Sequence, residues 1–305
     1  MTTLPINDDT WLATKSFLSG GLGACIAKTC TAPLSRTTIL MQVQSMRPHK
    51  FYVRGSPNNT RLLESVAKMI TEEGFFSMWK GNGASCLHRF PYAGITFLVQ
   101  DRVKSLFPLN WRFADLAAGA SAGACACLTC YPLDVVKARL ATQTKTAHYK
   151  GIGHCLVLIR KEEGLRAFYR GVIPTLCYVM PTFAINFEVF GTVKSLYKRY
   201  TGEDDLPPIL AITSGCLSGF ASSSMCFPID LVRRQMQMDG LHGRPKRFTT
   251  AWHCFKHIVG TDGVRGLYRG IVPELCKVVP YVGLMFGSVE GLRNARWPHE
   301  VRDEC

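Results

Sequence analysis

Apolar, glycine-rich stretches alternate along the chain with shorter segments in which apolar and basic residues recur at helical spacing, as Leu63, Val66, Ala67 and Ile70 do around Lys68. Uncharged runs of about 18 residues or more, the length that spans a bilayer as a helix, occur only at 116 to 133 and 206 to 229. The stretches 90 to 100, 171 to 187 and 278 to 289 are apolar but shorter, and charge borders each of them. Hydropathy alone predicts two spans and leaves the others to a different signal.

An internal repeat supplies that signal. An apolar helical stretch runs three times into a proline-led segment: Pro33-Leu34-Ser35-Arg36-Thr37-Thr38, Pro132-Leu133-Asp134-Val135-Val136-Lys137 and Pro228-Ile229-Asp230-Leu231-Val232-Arg233. The prolines are 99 and 96 residues apart. Each is followed by a second element: Glu73-Gly74 with Trp79-Lys80-Gly81, Glu163-Gly164 with Tyr169-Arg170-Gly171, and Asp262-Gly263 with Tyr268-Arg269-Gly270. Another proline stands ten residues past each second glycine, at Pro91, Pro181 and Pro280. A period near 100 is too long for a solenoid repeat of about 20 to 50 residues, so the unit is a triplicated helix pair.

Small residues four apart, Gly20 with Ala24, Gly119 with Gly123 and Gly215 with Gly219, predict close helix approach in lipid. The prolines at 33, 132 and 228 should kink their helices and free carbonyls, which a membrane tolerates where packing or a cavity satisfies them again. Segments near 60 to 70, 151 to 161 and 250 to 260 read as short helices at the interface.

Composition agrees with a lipid environment. Lys and Arg outnumber Asp and Glu by 36 to 22, a formal charge of +14, yet the chain is 47% hydrophobic and only 19% charged. A nucleic-acid binder of that charge would carry it on a polar surface, so no nucleic-acid partner is expected, and disordered and collagen-like classes are excluded. Thirteen scattered cysteines, many in apolar runs, suit reduced buried thiols. Cys127 and Cys130 form a lone CxxC without a second pair or a histidine cluster, so no metal is expected. No P-loop, nucleophile-base constellation or EF-hand loop is evident, so neither an enzyme nor a cofactor is expected. The start, MTTLPINDDTW, carries two acids and no base before Lys15, and reads as no cleavable leader.

An acid and a base three residues apart beyond a kink, repeated in threefold register, can form a ring of ion pairs that closes one end of a cavity. A single exposed pair would only steady its own helix by about 0.3 to 0.5 kcal/mol; three registered copies favour the ring.

From about residue 12 to 296 the chain resembles the mitochondrial carrier family, whose signature P-x-[D/E]-x-x-[K/R] is followed by the aromatic-basic-Gly element. The second and third repeats match fully; the first departs at Ser35 and Thr38. The resemblance implies an all-α membrane protein with six transmembrane helices in three pseudo-symmetric repeats, and three short matrix-side helices around a central cavity. The repeats would be 12–107, 112–199 and 206–296, between tails 1–11 and 297–305. It further implies a monomer in the mitochondrial inner membrane that works by alternating access between two gates.

In the family the acid of one repeat pairs with the base of the next. Carried over, Asp134 meets Arg233, Asp230 faces Thr38 and Lys137 faces Ser35, with Gln42 and Gln237 at the glutamine-brace positions. One complete ion pair predicts a weakened matrix gate. The cytoplasmic gate would use Asp101, Lys104, Lys194, Glu290 and Arg293, with Gly191 where an acid is missing. Two pairs there, Asp101 with Lys194 and Glu290 with Lys104, predict a carrier that rests closed on the cytoplasmic side.

The family's substrate contacts fall on His88 and Arg89, Tyr178 and Val179, and Lys277, and Lys28 matches a cavity lysine of nucleotide carriers. Charged groups within a membrane usually line a pathway. Lys28, Arg89 and Lys277, with no acid at the matched positions, describe an anion site suited to phosphate. The run Gly81-Asn82-Gly83 with His88-Arg89-Phe90-Pro91-Tyr92-Ala93-Gly94 is similar to the branch carrying coenzyme A and adenine nucleotides, although that branch has Gly and an aliphatic residue where Tyr178 and Val179 stand. Gly81, Gly171 and Gly270, each after a basic residue, are implied cardiolipin-binding positions at helix N-termini. The expected function is antiport of a phosphorylated anion, coenzyme A or an adenine nucleotide, across the mitochondrial inner membrane. The alternatives are transport of another nucleotide or a carboxylate, and a carrier fold kept as a non-transporting scaffold.

Overall fold

The computed structural model describes residues 8–44, 58–104, 114–143, 148–203, 206–240 and 247–294. Among these every regular element is helical. The long helices are α1 (Asp8–Cys30) continued by α2 (Ala32–Gln42), α4 (Asn82–Lys104), α5 (Ala114–Thr142), α7 (Val172–Thr201), α8 (Pro208–Met238) and α10 (Ile271–Asn294). Between members of each pair lie the short helices α3 (Asn58–Glu73), α6 (Ile152–Glu162) and α9 (Ala251–Asp262). Each short helix leads through a 3-10 turn into the next long one.

The long helices form a closed ring. Partners within a repeat touch, and contact is more extensive between repeats, α4 against α5, α7 against α8 and α10 against α1. At the proline end α2, α5 and α8 also touch one another, so the ring narrows there. Four stretches are long and apolar enough to cross a membrane: Ala118–Thr142, Leu165–Thr201, Pro208–Met238 and Val264–Leu292. Hydropathy of the sequence predicts two; α1 with α2, and α4, qualify only as members of the ring. Large apolar side chains such as Leu98, Ile173, Ile209 and Met225 stay exposed, as a surface solvated by lipid allows.

Small residues let the helices approach. A Cβ on Gly123 would fall 2.8 Å from Phe183, and one on Gly219 2.7 Å from Val278. In the first repeat the contact shifts in register from the expected pair: Gly20 has open space, while Gly21 lies against Phe90 and Gly23 against Val289. Ala24 is buried.

Pro33 opens α2, and Pro132 and Pro228 lie inside α5 and α8. Lacking an N–H, Pro33 leaves the Thr29 carbonyl without its helical donor. The Trp79 indole Nε1 donates to that oxygen at 2.8 Å. This joins the two signature elements of the first repeat.

Candidate functional site

At the proline end α5 and α8 bring Asp134 and Arg233 into a direct ion pair. Gln237 Nε2 donates to Asp134 Oδ2 at 3.0 Å and approaches Tyr131 Oη at 3.3 Å. Arg234 Nη1 donates to Gln237 Oε1 at 3.0 Å. Across the ring, Gln42 Nε2 donates to Asp230 Oδ2 at 2.8 Å, and the Arg233 and Arg234 guanidiniums stand 3.8 Å from Asp230 Oδ1. Asp134, Arg233, Gln42 and Gln237 are all buried. Buried charges persist only when paired and hydrogen-bonded, and here the glutamines supply the remaining bonds.

Two of the expected gate contacts are not made. The Thr38 hydroxyl turns back to the Leu34 carbonyl at 3.1 Å; its short side chain is satisfied within its own helix, and Gln42 takes its place on Asp230. Ser35 Oγ is buried with no hydrogen-bond partner. Lys137, expected opposite it, leans toward Asp134 Oδ1 of its own helix at 3.7 Å. Arg234 and Tyr131 were missed by sequence reasoning: Arg234 lies one place past the motif, and Tyr131 one place before it.

At the opposite end Asp101, Lys194 and Glu290 are exposed, and among the described residues none of the three makes an ion pair; the side chains of Lys104 and Arg293 lie outside the described residues. The expected pair of Asp101 with Lys194 is therefore not formed in this conformation, whereas the proline end is bridged. Counting acid-base pairs ignored the bonds that Gln42, Gln237 and Arg234 add at the proline end.

Against the closed end lies an open cleft of about 210 Å³. Lys28, Tyr178 and Lys277 line it, together with Ser35, Lys137 and Asp230 from the closed end. Lys28 lies over the Tyr281 ring, its Nζ 5.1 Å from the centroid. Arg89 donates to Tyr281 Oη from α4 across to α10. Lys277 pairs with Glu274, one turn earlier on α10. The site is therefore not purely cationic. Glu274 lines the same cleft, and the contact-position count passed over it because it falls four residues after Gly270.

The remaining positions make contacts within and between helices. His88 lies against Tyr92, ring centroids 5.3 Å apart and the rings tilted by 31°. Val179 is buried in the α5–α7 seam, where Gly123 makes room for it, so it packs helices together instead of facing a ligand. Tyr178 carries the Arg233 guanidinium over its ring at 5.4 Å, which ties the cleft to the closed end.

Gly81, Gly171 and Gly270 have φ of +86°, +78° and +94°, conformations that favour glycine. A Cβ on each would crowd the next repeat: Ala141 and the Lys137 carbonyl, the Arg233 carbonyl, and Met41 with the Thr38 carbonyl. Positive φ and the approach of the next repeat together favour glycine at these positions. The acids before them are links as well: Glu73 takes buried Arg36 at 2.8 Å and Lys80 at 2.7 Å, Glu163 takes Arg139 and Arg170, and Asp262 takes Arg269 at 2.9 Å.

The family model described as mitochondrial carrier protein matches residues 11–111, 110–201 and 204–299. The calcium-binding mitochondrial carrier protein SCaMC-2 of Xenopus laevis is 34% identical over 92% of this chain and 53% of its own length. A mitochondrial adenyl nucleotide antiporter of Homo sapiens is 32% identical over 92% of this chain and 58% of its own. The mitochondrial coenzyme A transporter of Homo sapiens is 35% identical over 90% of this chain and 86% of its own. The chain thus spans little more than half the length of the first two relatives.

Proposed function

Because the chain belongs to the mitochondrial carrier family, we propose that it exchanges a phosphorylated anion, coenzyme A or an adenine nucleotide, across the mitochondrial inner membrane by alternating access. The observation that carries this reading is the cleft itself: Lys28 and Lys277 face an open space whose far end is shut by the Asp134–Arg233 network. Lys binds phosphate as a point charge, and Tyr178 offers a flat ring to a base. In this reading the closed end is the matrix gate, and Asp101, Lys104, Lys194, Glu290 and Arg293 are the cytoplasmic gate that closes in the alternate state. Arg89 holds Tyr281 against Lys28 and so sets the position of the cation. The N-termini of α4, α7 and α10, each behind a glycine and a basic residue, are proposed seats for cardiolipin phosphates.

The experiment is exchange in liposomes of internal against external coenzyme A, adenine nucleotides, other nucleotides and carboxylates. Thermal unfolding of the purified protein with each compound runs in parallel. A ligand specific for the folded state raises the melting temperature. Lys277→Ala should abolish both exchange and shift for the true substrate. Correct insertion with no exchange of any compound would leave the scaffold reading standing instead.

A further inference from the structure

The closed end contains three equivalent seats between repeats, of which one is hollow. Counting from each signature proline, an acid position (+2) meets a base (+5) and a glutamine brace (+9) of the following repeat. The seat between the second and third repeats is complete, with Asp134, Arg233 and Gln237 in contact. The seat between the third and first holds Asp230 and Gln42, with Arg233 and Arg234 nearby. At the third seat the corresponding residues are Ser35, Lys137 and Ala141. Its backbone register matches the others, since Gly81 approaches the Lys137 carbonyl and Ala141 as Gly171 approaches the Arg233 carbonyl.

Carboxylate and amide are both missing there, while the cation and a hydroxyl remain. Ser35 Oγ is buried without a partner. Among the described residues the acid within ion-pair distance of Lys137 is Asp134, at 3.7 Å, whose other oxygen already serves Arg233 and Gln237. Ser35, Lys137 and Ala141 all line the cleft, which continues to Lys28 and Lys277. We propose that this seat binds a phosphoryl oxyanion, which stands in for the absent carboxylate and completes the closed end. Lys137 supplies the charge and Ser35 donates its hydroxyl hydrogen. The oxyanion is either free phosphate or the terminal phosphate of a ligand lying along the cleft. The proposal concerns binding and does not depend on the transported substrate.

The test is thermal unfolding of the purified full chain with inorganic phosphate, AMP, ADP and ATP. Wild type is compared with Ser35→Asp, Lys137→Gln and the exposed control Lys150→Gln. At one hundred times Kd a bound anion should raise Tm by about 3 to 5 °C. Ser35→Asp carries its own carboxylate, so it should melt above wild type without anion and lose most of the shift. Lys137→Gln should lose the shift without that gain, whereas Lys150→Gln should keep it. A shift with inorganic phosphate identifies the free anion. A shift given by ADP and ATP but by neither inorganic phosphate nor AMP, and lost in both seat variants, identifies the terminal phosphate of a ligand. Full shifts retained in Ser35→Asp and Lys137→Gln overturn the proposal, as does a wild type that no phosphate compound stabilises. Failure to exchange substrate in liposomes would leave these outcomes unaffected, so the two readings fail separately.

Discussion

Replacing Asp134 by Asn probes the ion pair that shuts the proline end. Asp134 is 5% exposed and Arg233 8%, so the variant strips a buried guanidinium of its closest counter-charge and leaves it the more distant Asp230 at 3.8 Å. Breaking a buried pair from one side costs about 3 to 5 kcal/mol. Asn keeps one acceptor for Arg233 or Gln237, which favours the lower end of that range. A loss of about 3 kcal/mol is roughly two decades in the population of the closed end, and about 5 °C or more in melting temperature. Arg233→Gln should cost less, because Asp134 retains Gln237 at 3.0 Å and has Lys137 and Arg234 at 3.7 and 3.9 Å. In the double variant neither charge is stranded. The single effects should therefore exceed the double by a coupling of about 1 to 3 kcal/mol. The assay is thermal unfolding of all four proteins in one lipid-detergent mixture, with Lys194→Gln as the exposed control. If the two single effects simply added, or if neither exceeded the control, the proline end would not be held by this pair.

Other perturbations have opposite expected signs. Gly219→Ala sets a Cβ 2.7 Å from Val278 and should destabilise by about 1 to 3 kcal/mol, whereas Gly20→Ala meets nothing within 4 Å and should gain about 0.5 to 1 kcal/mol of helix propensity; melting curves of both decide it. Glu274→Gln releases Lys277 from its partner. Anionic ligands should then bind about tenfold tighter by calorimetric titration, a charged hydrogen bond being worth about 1.5 kcal/mol; weaker binding would mean that Glu274 itself holds the ligand. Burial pushes the Cys155 and Cys254 thiols up to about 12. At pH 8 only about one in ten thousand would be thiolate, and reactivity should climb tenfold per pH unit up to that value. Mass mapping after maleimide treatment of the folded protein should find both unmodified.

The repeat was legible because its offsets are covalent distances: prolines 33, 132 and 228, and glycines 81, 171 and 270, need no tertiary information to align. The pairing of Asp134 with Arg233 could be proposed from that alignment. The role of Arg234 could not, since it lies outside the motif and acts only because the turn of α8 carries it between Asp134 and Asp230. Glu274 stayed hidden for the same reason, being one helical turn from the contact position rather than on it. Gly20 was read as a packing glycine from spacing alone; the rotation of α1 gives that contact to Gly21 and Gly23.

Sequence alone determined the threefold unit, its apolar helices, the family and the loss of charge at positions 35 and 38, because these are properties of order and composition along one chain. Tertiary structure decided which end of the ring is closed, that Gln42 replaces Thr38 on Asp230, and that Lys277 shares the cleft with an acid. Those outcomes depend on side-chain reach and helix rotation at contacts between repeats. A hydroxyl is too short to cross the ring where a carboxylate or an amide can, and only the packed helices set the distance to be crossed.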